Sequence, residues 1–339
     1  MRTPILRVLV AGGAGYIGSH TCKALAKAGH VPVVLDDLST GNRWAVRWGP
    51  LIEGNIGDRD LVVRTLRSEK IDAVMHFAAS AYVGESVTNP EKYFRNNVVY
   101  SLNLLDAMRE AGVETIVFSS TCATYGEPAK LPLDETHPQN PVNPYGESKL
   151  FVEKALRWYG EAYELQWIAL RYFNAAGADV DTEIGEAHDP EPHLIPLIMQ
   201  AARGERPEVS IFGTDYSTPD GTAVRDYIHV DDLAQAHILG MRHLAEGGKS
   251  GAFNLGTGHG YSVREVITAV EKYAGCKVPV AEKARRPGDP HSLVAGAARA
   301  AEILGWRPAH NLDSIVSTAW AWECARSRQG STVMQSKES

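Results

Sequence analysis

Short apolar runs punctuate the first half of the chain, separated by longer stretches with a helical texture. Residues 7–11, 31–35, 71–77, 115–119 and 166–172 read as buried strands. Segments 60–69, 90–111 and 145–161 read as helices. This alternation predicts βαβ units, hence an α/β fold with a parallel sheet covered by helices on both faces. After Asn174 the texture changes. Residues 174–193 are rich in Gly, Asp, Glu, His and Pro with little periodicity, and read as a long loop into a second, smaller α/β domain. There the pattern predicts helices near 194–203, 231–245 and 262–274 and a strand at 209–212. The division is 1–173 and 174–328, with a return crossing of the chain compatible with it. A polar tail, 329–339, is expected to fray.

The first run passes directly into Gly12-Gly13-Ala14-Gly15-Tyr16-Ile17-Gly18. Glycines at 12, 15 and 18 allow a tight turn, a close approach of backbone N–H groups to a pyrophosphate, and close packing of helix on strand. The helix that follows turns its positive end toward the phosphates. Asp36 ends the second apolar run, 18 residues after Gly18, where a carboxylate takes the adenosine ribose hydroxyls. Together these predict a Rossmann-type, doubly wound dinucleotide-binding domain. A carboxylate at 36 repels a 2′-phosphate, and Asp37-Leu38-Ser39 supplies no Arg to accept one. The expected cofactor is therefore NAD.

Composition narrows the setting. A chain of 339 residues with 44% apolar content makes one large domain or two smaller ones with ample core. A net charge of −7 without a Lys/Arg block argues against nucleic acid or an anionic membrane as partner. No apolar stretch approaches a bilayer-spanning length. The early strand leaves no room for a signal peptide ahead of it. Cys22, Cys122, Cys276 and Cys324 are scattered and form neither metal spacing nor a disulfide framework. A cytoplasmic location is expected.

The chemistry is carried by Tyr145-Gly146-Glu147-Ser148-Lys149, behind the helix-start signal Asn143-Pro144. Positions i and i+4 share a helix face, so the phenol and the ammonium project together. A phenol titrates near 10 and is a poor base at neutral pH. A neighbouring cation, and the positive ring of an oxidised nicotinamide, favour the phenolate. The result is a base suited to a sugar hydroxyl.

The N-terminal glycine turn with Tyr145 and Lys149 resembles the extended short-chain dehydrogenase/reductase family. Further segments look like those of UDP-glucose 4-epimerases: Phe118 to Gly126, Val83 to Ser86, Leu170 to Asn174, Val224 to Val230, Phe253 to Gly256 and Arg285 to Asp289. The resemblance runs from about residue 7 to 325. It implies tightly bound NAD, oxidation of the sugar at C4, rotation of a 4-keto intermediate and reduction on its other face. Tyr145 is then the acid/base on O4, Lys149 tunes it and binds the nicotinamide ribose, and Thr121 hydrogen-bonds the same hydroxyl. Cofactor contacts are implied for Gly12, Gly15, Tyr16, Ile17, Gly18, Asp36, Asn55, Ile56, Phe77, Ala78, Asn97, Ser119 and Phe173. UDP-sugar contacts are implied for Asn174, His193, Leu194, Phe212, Arg225, Tyr227, Arg286, Asp289 and Leu293. A homodimer through the helices near 90–111 and 145–161 is also implied.

Three positions depart from relatives. Asn55 stands where many carry Asp, Ala81 where some carry Lys, and His193 where some carry Asn. Other readings stay open. A 4-epimerase of another UDP-sugar, pentose or N-acetylated, shares these motifs. In the family a bulky Tyr at the position of Leu293 closes the sugar pocket and a small residue admits N-acetyl groups, so Leu293 points to the UDP-glucose/UDP-galactose pair. A 4,6-dehydratase needs an acid pair where this chain has Cys122 and Ala123. A non-enzymatic NAD-binding protein has no need of both Tyr145 and Lys149. His188, Asp189, Glu191 and His193 cluster without a usual zinc spacing, and the implied chemistry calls for no metal. His76, Trp306, Trp320 and Trp322 read as packing residues, and Cys122 is assigned no role.

Overall fold

A computed structural model describes residues 4–286 and 290–335 of the chain, with side chains described as far as 327. Seven parallel strands form the central sheet: β1 (Arg7–Ala11), β2 (Val31–Asp36), β3 (Leu51–Glu53), β4 (Ala73–His76), β5 (Thr115–Ser119), β6 (Gln166–Tyr172) and, from the second half, a strand at Gly251–Leu255. Short strands β7 (Asn174–Ala176), β8 (Val209–Phe212), β9 (Val224–Arg225) and β10 (Tyr227–His229) precede that last strand, β11. After it come β12 (Tyr261–Ser262), β13 (Val280–Lys283) and β14 (Ser292–Leu293). The central order is β11-β6-β5-β4-β1-β2-β3, so the order reverses between β1 and β4. That switch point, at the carboxyl ends of the strands, is where a doubly wound sheet opens a crevice.

Side chains alternate across the sheet. Val8 and Val10 of β1 join Met75, Val117, Ile168 and Leu170 on one face, and Leu9 and Ala11 join Val74, Ile116, Phe118 and Ala169 on the other. The first face is covered by α1 (Tyr16–Lys27) and, from the second half, the later helix Val230–Ala245. The second is covered by α2 (Arg59–Ser68) and two longer helices. Between α2 and those helices lie two short ones, α3 (Val83–Thr88) and α4 (Pro90–Tyr93). The longer pair is α5 (Tyr100–Ala111) and α6 (Pro144–Tyr163). The single helix expected over 90–111 is interrupted, because Phe94–Val99 forms a π-helical turn between α4 and α5. Such wider turns often sit at functional sites. Helix α6 starts as its sequence signals: the Asn143 side chain accepts from Gly146 N at 2.9 Å, with Pro144 in the first turn.

The second half packs α7 (Leu194–Ala202), α9 (Val263–Ala274) and α11 (Leu312–Gln335) around Ile198, Met199, Ile211, Val266, Val270, Ile315 and Val316. Helix α8 (Val230–Ala245) and the short α10 (Ala298–Ile303) belong to the first core. The stretch expected to be loop from 174 begins as strand β7, which pairs in parallel with β10. Three residues are too short to show periodicity, and only the partner strand defines them. Backbone helix continues past residue 328 to Gln335.

Candidate active site

The glycine turn is built as tightly as its spacing demands. Gly12 has φ +84°, and a Cβ there would lie 2.5 Å from Ala78 N; one on Gly18 would lie 2.2 Å from Gly12 O. A Cβ on Gly15 would meet only Gly12 O, at 3.4 Å, so the outer side of the turn is open. Gly15 is the N-cap of α1, so the first amides of the helix have no partner within it. Asp36, at the end of β2, accepts from Ala14 N and Leu38 N at 2.9 Å each. It is buried, and desolvation raises its carboxyl. Its remaining lone pairs suit ribose hydroxyls. Phe77 and Ala78, at the end of β4, both donate backbone N–H to Ala11 O and wall the turn. Asn55 donates to Asp37 Oδ2 at 2.6 Å and accepts from Gly57 N at 2.7 Å, beside buried Ile56. The Tyr16 hydroxyl donates to Gly177 O. The glycine cradle, Asp36 and the helix end together fit NAD.

Thr121, Tyr145 and Lys149 meet at the carboxyl end of β5. All are buried, at 6%, 8% and 4% exposure. Burial raises the Tyr145 phenol well above 10, and Thr121 beside it acts in the opposite sense. Lys149 Nζ donates to Ser119 O at 2.8 Å and lies 4.9 Å from the Phe118 ring centre. Burial draws the ammonium down to about 7, opposed by Glu153. Ser119 Oγ contacts Tyr172 OH at 2.6 Å. Asn97, on the π turn, accepts from Ser80 N and donates to Ser80 O and Ser148 Oγ, fixing α6 against this turn.

The residues implied to hold the sugar nucleotide are spread over the second half. Asn174 opens β7 and donates its backbone N–H to Asp226 O. His193 caps α7, and Leu194 is its first residue. Phe212 ends β8, with the Arg286 guanidinium 3.8 Å from its ring centre. Arg225 and Leu293 are cross-strand partners in β9 and β14. Leu293 packs on Cys122, Tyr125, Leu133, Phe173 and Ala295, which ties this group to the active-site strand ends. Tyr227 is buried in the second core. Asp289 lies outside the described residues.

Sequence reasoning passed over several supports. Glu153, two turns beyond Tyr145, accepts from Ser120 Oγ, from Arg171 Nε at 3.0 Å and from Gln139 at 3.1 Å. Arg171 also donates to Tyr125 OH at 2.9 Å, and Tyr125 donates to Asn254. Asp226 accepts from Thr257, Gly258 and Ala295. Lys23 on α1 holds Asp179, Asp181 and Glu183. Each is a charged residue inside an otherwise apolar run or a loop, and only the fold reveals its partner. His76 is buried against Ser101 and pushed down to about 3, a neutral packing residue. Trp306 and Trp322 are buried, each donating to a backbone carbonyl, and Trp320 lines the second core. Burial pushes the Cys122 thiol up to about 12.

A family model described as the NAD dependent epimerase/dehydratase family matches residues 8–256. A UDP-glucose 4-epimerase of Rhizobium leguminosarum bv. trifolii is 52% identical over 322 residues, 95% of this chain and 98% of its own. The crystal structure of UDP-glucose 4-epimerase from Brucella ovis in complex with NAD is 54% identical, with TM-score 0.92 over 93% of this chain and 98% of that one. The enzyme from Bifidobacterium longum in complex with NAD+ and UDP is 39% identical, with TM-score 0.89 over 94% and 98% of the two chains.

Proposed function

The chain belongs to the NAD dependent epimerase/dehydratase family, and we propose from that premise how its residues divide the work of 4-epimerisation. It interconverts UDP-galactose and UDP-glucose with NAD as cofactor. The observation that carries the division of roles is that buried Thr121, Tyr145 and Lys149 come together at the carboxyl end of β5, with Lys149 one turn beyond Tyr145 on α6. Gly12, Gly15, Gly18 and Asp36 hold the dinucleotide. When bound, NAD supplies the reversible oxidation at the sugar C4.

Tyr145 takes the O4 proton and gives it back, and Thr121 holds the same hydroxyl in line. Lys149 donates to the nicotinamide ribose and lends positive charge near the phenol. Arg225 and Arg286 grip the diphosphate through charge-assisted bonds, and Phe212, braced by Arg286, stacks on the uracil. With the grip confined to UDP, the sugar is free to turn about its diphosphate linkage and present either face to the same phenol. Binding energy from UDP thus positions the reacting carbon without touching it.

Residues 1–173 form the cofactor part and 174–328 the sugar-nucleotide part, with β11 crossing back. Exposed Phe94, Val99, Phe151 and Trp158 lie on the π turn and α6, which supports a homodimer through these helices. The free cysteines support a reducing cytoplasm as the location. Among the described residues no helix is long and apolar enough to cross a membrane.

Tyr145→Phe tests the assignment. The ring still packs against Tyr93, 6.4 Å away edge to face, so UDP-sugar binding by calorimetry should survive. The interconversion rate should fall about 10²–10⁴-fold. A rate within a few-fold of wild type would assign the proton to another group.

A further inference from the structure

We propose that Glu186, His188, Glu191 and His193 form a binding site for a divalent transition-metal ion of the zinc class, which staples the loop before α7 over the cofactor turn. The four positions follow no usual zinc spacing because they sit on an irregular loop. Folding nevertheless brings one ligand atom of each within 4.8 Å of all the others. His188 Nδ1 lies 3.2 Å from Glu186 Oε1 and 3.7 Å from Glu191 Oε2. His193 Nδ1 lies 2.6 Å from Glu186 Oε1 and 2.9 Å from Glu191 Oε1. A tetrahedral zinc with bonds of about 2.0–2.2 Å keeps its ligand atoms roughly 3.3–3.5 Å apart. These separations, with Glu191 turning Oε2 to His188 and Oε1 to His193, span that value, and a small outward shift of His193 admits the ion.

A second observation points to a ligand. The Glu186 side chain is 7% exposed, and its Oε1, although close to both imidazoles, makes no hydrogen bond of proper geometry; His188 Nδ1 makes none either. His193 Nδ1 does hydrogen-bond Glu191 Oε1, at 2.9 Å, and an ion would take the place of that bond. With both imidazoles neutral the four groups would carry a charge of −2, which a divalent cation cancels at this half-buried cluster. Mixed imidazole and carboxylate donors suit zinc and its neighbours.

The surroundings are those of a built site. The His188 ring stands edge-on to Tyr16 at 6.3 Å and to Tyr82 at 6.1 Å. Glu186 O accepts from Trp322 Nε1 at 2.9 Å, and Ala187 O accepts from Asn42 at 3.3 Å. A metal here would lock His193, the cap of α7, and join Tyr16 at the cofactor turn to Leu194 at the start of that helix.

The competing occupants are two protons, one on each imidazole, which balance the same charge. The full chain with its NAD is stripped with chelator and titrated with zinc by calorimetry at neutral pH, in two buffers of different ionisation enthalpy. One zinc should bind per chain with release of protons, since both imidazoles must be neutral to ligate. The melting temperature should rise with zinc, and cobalt should give the visible absorption of a tetrahedral site. His188→Asn and Glu186→Gln should each weaken zinc by at least about 10–100-fold, the loss typical of even an outer-shell partner. Glu191→Gln replaces either variant if circular dichroism shows that one misfolds. Absence of one-to-one binding by the wild type would assign the cluster to protons. Undiminished binding by the folded variants would place the ion elsewhere. Either result overturns the proposal, and neither depends on epimerase activity.

Discussion

Replacing Glu153 with Ala should damage this protein more than any comparable surface change. The carboxylate is 5% exposed, and Arg171 beside it is 6% exposed. Arg171 Nη2 lies 2.5 Å from Glu153 Oε2, and Arg171 Nε donates to both carboxylate oxygens at 3.0 and 3.2 Å. Truncation strips the guanidinium of its counter-ion and leaves it only neutral partners such as the Tyr125 hydroxyl, while Ser120 and Gln139 lose their acceptor. Breaking one side of a buried pair costs about 3–5 kcal/mol, because a charge is left in a low-dielectric site. Replacing both partners with apolar groups of similar volume is often near neutral. Glu153→Ala should therefore lose about 3–5 kcal/mol, and Glu153→Met combined with Arg171→Met should recover most of it. Urea unfolding at matched NAD loading measures both. A single-variant loss under about 1 kcal/mol, or a double variant as unstable as the two singles summed, would refute the reasoning. The pair joins α6, which carries Tyr145 and Lys149, to β6, and Ser120, next to Thr121 at the end of β5, bonds the same carboxylate, so activity should fall together with stability.

Two further outcomes follow from the site. Leu293→Ser should raise relative turnover of UDP-N-acetylglucosamine by about 10–200-fold and Leu293→Tyr should lower it, since Leu293 sits on Cys122 and Phe173 beside Thr121 and Asn174; equal specificity constants in all three proteins would remove it from the pocket. Burial holds Lys149 near 7, below its unfolded value of about 10.5, so the folded chain binds fewer protons between those values and stability rises with pH across that window. Lys149→Met should accordingly gain most over wild type at or below pH 7 and lose that advantage toward pH 10, and a pH-independent difference in melting temperature would contradict it.

Much of this was legible in the chain because it depends on local backbone geometry. The turn at Gly12 to Gly18 needs residues without Cβ atoms at fixed offsets, Asn143-Pro144 caps a helix with its own side chain, and Tyr145 and Lys149 share a face by helical spacing alone. The strands at 115–119, 166–172 and 209–212 have their predicted bounds, being continuous apolar runs with sharp ends. The break at Phe94–Val99 was hidden, since a π turn has no composition of its own and is held by Asn97 reaching Ser80 and Ser148. Strand β7 was hidden for the same kind of reason: its ladder is supplied by β10, 53 residues further on. The sequence alone determined which residue types stand ready for hydride and proton chemistry on a nucleotide-binding turn. Only the tertiary structure decided which of them are desolvated, because desolvation depends on what covers a group. It also decided the pairing of Glu153 with Arg171 and the meeting of two histidines with two glutamates, since charged groups inside a fold are positioned by partners that no local pattern specifies.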